Sequence, residues 1–153
     1  SAMVSLNISS LLALTRLFGK AMAKRGRGKI MNVASVAGFM PMPGMAVYAA
    51  TKAFVRSLSE ALSAELADQG ITVTALCPGP VSTGFEKTAG MENSKLFQLM
   101  RPATPDTVAG YGYRACMAGK RVAVPGFLNK ISVFSSIITP RTLFLKTLRR
   151  MVR

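Results

Sequence analysis

The chain has 153 residues, half of them apolar and 17% charged, which is enough for one domain with a real core and too apolar for a disordered chain. Lys and Arg number 20 against 6 Asp and Glu, a basic balance that attracts phosphates, anionic lipid or acidic proteins without choosing a fold. With no histidine, and Cys77 and Cys116 as the only cysteines, a Ser-His-Asp triad, a His-metal site and a Cys-rich zinc site are excluded. The two thiols fit a reducing, cytoplasmic compartment better than a secreted disulfide framework.

Over residues 3–24, Leu11, Leu14, Thr15, Phe18 and Met22 recur at helical spacing and Leu12 and Leu17 widen the stripe. This predicts a mostly buried helix, ended by Arg25-Gly26-Arg27-Gly28. No run of 18 apolar residues occurs, so no spanning helix is predicted, and the N-terminus does not read as a signal peptide. Residues 29–34 read as a short buried strand and Gly38 to Gly44, with Pro41 and Pro43, as a loop. Residues 48–68 are helical, with Ala50, Phe54, Leu58, Ala61, Leu62 and Leu66 on one side and Gln69-Gly70 as a stop. Residues 71–76 are the clearest strand, closed by Pro78-Gly79-Pro80. A short helical candidate covers 94–101. Thr104 then caps a helix with Pro105 in its first turn, and residues 121–124 form a third strand. This order predicts a parallel sheet with right-handed crossovers. Three parallel strands leave one side open, so a further element is expected there, from the N-terminal side or from another chain.

Tyr48-x3-Lys52 places a phenol and an ammonium on one helix face, about 5–6 Å apart at Cβ. A free tyrosine titrates near ~10, too high for acid–base work at neutral pH, and a nearby cation lowers that value. Many surface helices contain this pair, so it carries little alone. Ser35, however, ends a predicted strand, and the next strand ends in Pro78-Gly79-Pro80-Val81-Ser82-Thr83. Ligands of open parallel sheets bind beyond the carboxyl ends of the strands, so the three features converge on one site.

Asn32-Val33-Ala34-Ser35-Val36-Ala37-Gly38, Tyr48-x3-Lys52 and Pro78-Gly79-Pro80-Val81-x-Thr83 together resemble the signature of the short-chain dehydrogenase/reductase family, over about residues 3–125. The resemblance implies an α/β fold, a partial Rossmann-type three-layer α/β/α sandwich with parallel strands. It implies NAD or NADP as cofactor and interconversion of a carbonyl and an alcohol. By position, Tyr48 would be the acid in reduction and the base in oxidation. Lys52 would lower the pKa of Tyr48 and bind the nicotinamide ribose, and Ser35 would orient the substrate carbonyl. Asn7, in Val4-Ser5-Leu6-Asn7, would hold a water of the proton relay. Pro78, Gly79, Val81 and Thr83 would border the nicotinamide carboxamide. Met40, Met42 and Met45, with Met91, Leu96, Phe97, Leu99 and Met100, suggest a hydrophobic carbonyl or alcohol substrate touching Ser35, Met42 and Tyr48; ordinary packing is the other reading. The two long helices resemble the family's dimer interface, which implies a homodimer or homotetramer.

The N-terminal Gly-rich βαβ portion of the family has no counterpart in these residues. Gly26-Arg27-Gly28 is the nearest glycine cluster, and it precedes a strand. Residues 1–125 are therefore expected to be the C-terminal catalytic half of the domain and 126–153 a basic, apolar extension. Such a fragment would bind NAD(P) weakly and turn over little by itself. The alternative is an inactive fragment or paralogue serving as a basic membrane- or nucleic-acid-binding module. No acidic residue follows Asp106, whereas nine Lys or Arg do. The tail is read either as an amphipathic helix on an anionic membrane or as a helix docked on its own domain with a basic outer face. Aromatics are 7% and not interleaved with the basic residues, so no nucleic-acid stacking platform is indicated.

Overall fold

The structure, a computed structural model, describes residues 1–83 and 102–152. The helical candidate at 94–101 and Met91, Leu96, Phe97, Leu99 and Met100 lie outside the described residues. A helix, α1, runs from Ala2 to Lys24 and holds a π-helical stretch over Ser5–Ser10. Strand β1, Gly28–Val33, follows and leads into a 3-10 turn at Val36–Phe39. Helix α2, Ala46–Glu65, is followed by a second 3-10 turn, and Gly70 takes the left-handed conformation at φ 70 that lets the chain reverse into β2. Strand β2 is Ile71–Leu76, with the bounds the pattern predicts. Helix α3, Pro105–Met117, begins as expected: the Thr104 hydroxyl accepts from the Thr107 N–H and Pro105 occupies the first turn. Strand β3 is Val122–Ala123; α4, Phe127–Ile138, and α5, Arg141–Val152, complete the described chain.

The sheet has the order β1-β2-β3 and both pairings are parallel, with Gly28 opposite Ile71 and Ala75 opposite Val122. Side chains alternate across a strand, so Asn32 and Met31 face opposite ways. Asn32 joins α1 and α2: the Thr15 hydroxyl donates to Asn32 Oδ1 and Asn32 Nδ2 donates to Ser59 Oγ. Leu76 packs instead with Val108, Ala115 and Tyr111 of α3. Helices therefore cover both faces, which gives the expected α/β/α layers. The two connections step the same way across the sheet but put α2 and α3 on opposite faces. They are consequently of opposite hand, a departure from the expected pair of right-handed crossovers. The rule reflects a short connection fitting a twisted strand, and the stretch 77–104 before α3 is long.

Burial departs from the apolar pattern in an informative way. In α1 only Thr15 and Gly19 are buried, while Leu12, Leu14, Leu17 and Phe18 are exposed; the expected buried helix is a half-covered one. In α2 the buried residues are Ala49, Thr51, Val55 and Ser59, whereas Ala50 and Ala61, expected inside, are exposed. In α1 small side chains face the sheet and the larger apolar ones are turned outward, whereas in α2 Val55 is fully buried and Phe54 packs against the core. Strand β1, expected to be buried, exposes Met31 and Val33 because it is the edge of the sheet. By length and composition α1 is able to cross a membrane, although its apolar run is broken by Arg16 and Lys20. Its tie to Asn32 makes it a layer of this domain.

Candidate functional site

Ser35 ends β1. Its Oγ caps the following turn by accepting from the Ala37 N–H at 3.1 Å, and it donates to the Pro78 carbonyl at 3.4 Å. The Val36 N–H donates to the same carbonyl at 3.0 Å, so the ends of β1 and β2 are bound together. The turn then lies against α2. A β-carbon on Gly38 would sit 2.7 Å from the Lys52 carbonyl oxygen, an approach only glycine permits. Arg56 fastens the same contact, with its Nε donating to the Gly38 carbonyl and its guanidinium 4.5 Å from the Phe39 ring centroid.

Tyr48 and Lys52 lie one turn apart at the start of α2, both half-buried. Burial pushes the Tyr48 phenol above its ordinary value, and a hydrogen bond with the Ser35 side chain pulls it partly back. Lys52 Nζ donates to the Val33 carbonyl at 2.9 Å and stands 5.7 Å from the Tyr48 ring centroid. Burial holds its pKa below the ordinary lysine range. Desolvation is thus the largest influence on the phenol, and the Ser35 hydrogen bond opposes it.

Ser35, Met42, Met45, Tyr48, Lys52, Pro78, Gly79, Val81 and Thr83 line one cavity of about 460 Å³, to which Pro105, Val108 and Ala109 of α3 also contribute. It lies beyond the carboxyl ends of β1 and β2, where an open parallel sheet binds ligands. The wall after β2 is pinned by a bridge between Val81 and Ala103, with the Ala103 N–H donating to the Pro80 carbonyl. Eight of the expected site residues thus meet in one place.

Asn7 is the exception. It does not line the cavity; its Nδ2 donates to Thr51 Oγ1 at 3.0 Å, and Thr51 Oγ1 donates to the Tyr48 carbonyl at 2.8 Å. Asn7 therefore reaches Tyr48 through Thr51, from within the π-helical stretch of α1, a distortion frequent at functional sites. Thr51 was not singled out in the sequence. Its signal is the local one of a hydroxyl bonding the carbonyl three residues back. Asn129 of α4 was missed as well: its amide packs where a β-carbon on Gly79 would stand, and it donates to the Pro125 carbonyl. No local motif announces that contact.

The donors on one wall, the Lys52 ammonium and the Tyr48 hydroxyl, suit ribose hydroxyls, and the apolar walls suit a nicotinamide ring. The three strand ends, at Ser35–Gly38, Pro78–Pro80 and Pro125–Gly126, carry one glycine each. None is the multi-glycine turn that a pyrophosphate requires. The described residues therefore fit the nicotinamide-ribose end of a dinucleotide and not its middle.

Known proteins agree with this geometry. A 3-oxoacyl-[acyl-carrier-protein] reductase of Synechocystis sp. is 37% identical over 71% of this chain and 44% of its own length. A 17-beta-hydroxysteroid dehydrogenase type 3 of Rattus norvegicus is 41% identical over 93% of this chain and 47% of its own length. Among solved structures, a short-chain dehydrogenase from Sphingobium yanoikuyae in complex with NADPH superposes with a TM-score of 0.74 at 28% identity, covering 94% of this chain and 54% of that one. The chain thus spans about half the length of the relatives it matches. The family model described as short chain dehydrogenase matches residues 1–94, most of the chain and all of β1, α2 and β2, and on that match the chain belongs to the short-chain dehydrogenase family.

Proposed function

We propose that residues 1–125 are the catalytic half of an NAD(P)(H)-dependent oxidoreductase that interconverts a hydrophobic carbonyl compound and its alcohol, and that residues 126–153 are an added extension. The observation that carries this reading is the convergence of Ser35, Tyr48 and Lys52 on one apolar cavity beyond two parallel strand ends. The relatives named as a reductase and a dehydrogenase support the reaction class. NADPH in the Sphingobium chain supports a nicotinamide dinucleotide without choosing between NAD and NADP.

When bound, the nicotinamide exchanges hydride with the substrate carbon. Tyr48 supplies the proton for the carbonyl oxygen in reduction and accepts it in oxidation. The Ser35 hydroxyl orients the oxygen and, with Tyr48, stabilises the charge that develops there. Lys52 holds the ribose. Asn7, through Thr51, steadies the start of α2 and belongs to the proton relay. Val81 and Thr83 hold the carboxamide beside Pro78 and Gly79, and Met42 shapes the pocket for a bulky apolar substrate. The outward apolar residues of α1, with Val47 of α2, support a homodimer or homotetramer through the two long helices, in the cytoplasm.

Saturation-transfer NMR on the purified chain tests the cofactor reading. Reduced nicotinamide mononucleotide and NADH should bind with similar affinity, because only the nicotinamide end meets a built site. Lys52→Met should weaken both by about 1.5–3 kcal/mol, the range for hydrogen bonds to a charged group. Failure of either ligand to bind the folded chain contradicts the reading.

A further inference from the structure

Helix α4 is built inside out. Its inward side carries Asn129, Ser132, Val133 and Ser136, with Val133 and Ser136 buried. Phe127, Leu128, Ile131, Phe134, Ile137 and Ile138 point away and are 48–76% exposed. A helix on the surface of a water-soluble domain shows the opposite arrangement, and a contiguous apolar face of this kind marks an interaction surface. The inward side meets the domain: α4 packs on the Val36–Phe39 turn, and the Asn129 amide fills the space that a β-carbon on Gly79 would take. The expected docked tail with a basic outer face is therefore only half realised: the tail docks, but the outer face of α4 is apolar.

Charge identifies what covers this face. Residues 126–153 hold Lys130, Arg141, Lys146, Arg149, Arg150 and Arg153 with no acidic residue, and Leu143 and Leu145 of α5 are exposed as well. A second copy seated on this face would set its own Lys and Arg of residues 126–153 against the same side chains, with no acidic residue of the segment to pair them. A bilayer with anionic headgroups offers both partners at once, apolar chains for the Phe, Leu and Ile side chains and phosphates for the Lys and Arg. With 12 residues, α4 is too short to cross a hydrocarbon core, which needs about 20, so it lies in the interface. We propose that the outer face of α4, together with the basic helix α5 that follows it in the chain, docks the protein on an anionic lipid bilayer.

The full chain is floated with vesicles of phosphatidylcholine alone and of phosphatidylcholine mixed with phosphatidylglycerol. It should float with the mixed vesicles, about tenfold less with the neutral ones, and less as salt rises. Phe134→Ser with Ile138→Ser should abolish flotation without lowering the thermal midpoint, because both side chains point outward. Lys146→Gln with Arg149→Gln should weaken it. The chain has no tryptophan, so Phe134→Trp provides an independent reporter whose emission should shift to the blue on mixed vesicles. The proposal is overturned by any of three results: no flotation and no blue shift with mixed vesicles, equal flotation on neutral ones, or a dimer lost in the Phe134→Ser, Ile138→Ser variant of a chain that ignores lipid.

Discussion

A phenol that gives up a proton near neutrality is expected to sit beside a cation, and the Lys52 ammonium stands 5.7 Å from the Tyr48 ring centroid. Burial nevertheless raises the Tyr48 pKa, and Ser35 is the group that lowers it. Ser35→Ala removes that support for the phenolate, so the Tyr48 titration should move still higher, measured by NMR of ring-labelled tyrosine; an unchanged or lower value contradicts the pairing. Cys77 offers a second test. Burial is the largest reason its thiol is pushed up to about 12 from the ordinary 9.0. A group whose folded pKa is raised stabilises the fold fully below its unfolded pKa and loses that contribution as pH rises through the folded one. Cys77 should therefore help unfold the chain across pH 9–12 and resist iodoacetamide in the native state at neutral pH. Rapid native alkylation, read by peptide mass mapping, contradicts this. At this scale Ser35, Tyr48 and Lys52 were legible because they stand at the spacing of the family signature, and the fold brings them to one cavity. The direction of the Tyr48 shift was not, because desolvation depends on what α3 and the two strand ends close over the ring.

Strand and helix positions were largely readable. Residues 71–76 alternate into a strand that pairs along its whole length with β1, and Thr104-Pro105 marks the start of α3. The inward faces of α1 and α2 were not readable, because close approach to the sheet selects small residues over large apolar ones. Gly38 is the sharpest instance, and Gly38→Ala should separate the Ser35 turn from α2. The expected cost is about 1–3 kcal/mol, as for other overpacked contacts, with a matching loss of turnover. A variant with unchanged melting and unchanged activity contradicts that contact. Asn32 is the polar counterpart. Asn32→Ala leaves Thr15 without its partner while Ser59 keeps the Val55 carbonyl, and it should cost about 1–3 kcal/mol in denaturant unfolding.

Across the described residues, three surfaces could take a partner: the edge of β1 that pairs with no described strand, the outward apolar residues of α1, and the apolar face of α4. Leu6, Leu14, Phe18, Met31 and Val33 border one groove between α1 and β1. The open side of the sheet was legible from the count of parallel strands. The role of α4 was not, because its inward face is polar and its register is set by Asn129 against Gly79. For the oligomer proposed through α1 and α2, Leu12→Glu with Leu17→Glu should yield monomers in sedimentation velocity; an unchanged assembly assigns the interface elsewhere. The central claim concerns the proton of Tyr48, and Tyr48→Phe tests it most directly in NAD(P)H-linked reduction of a bulky hydrophobic ketone by the full-length gene product. Turnover should fall by roughly 10²–10⁴, the usual range for general acid catalysis, with melting temperature unchanged and a much smaller loss of cofactor affinity. Turnover retained in Tyr48→Phe would contradict the account.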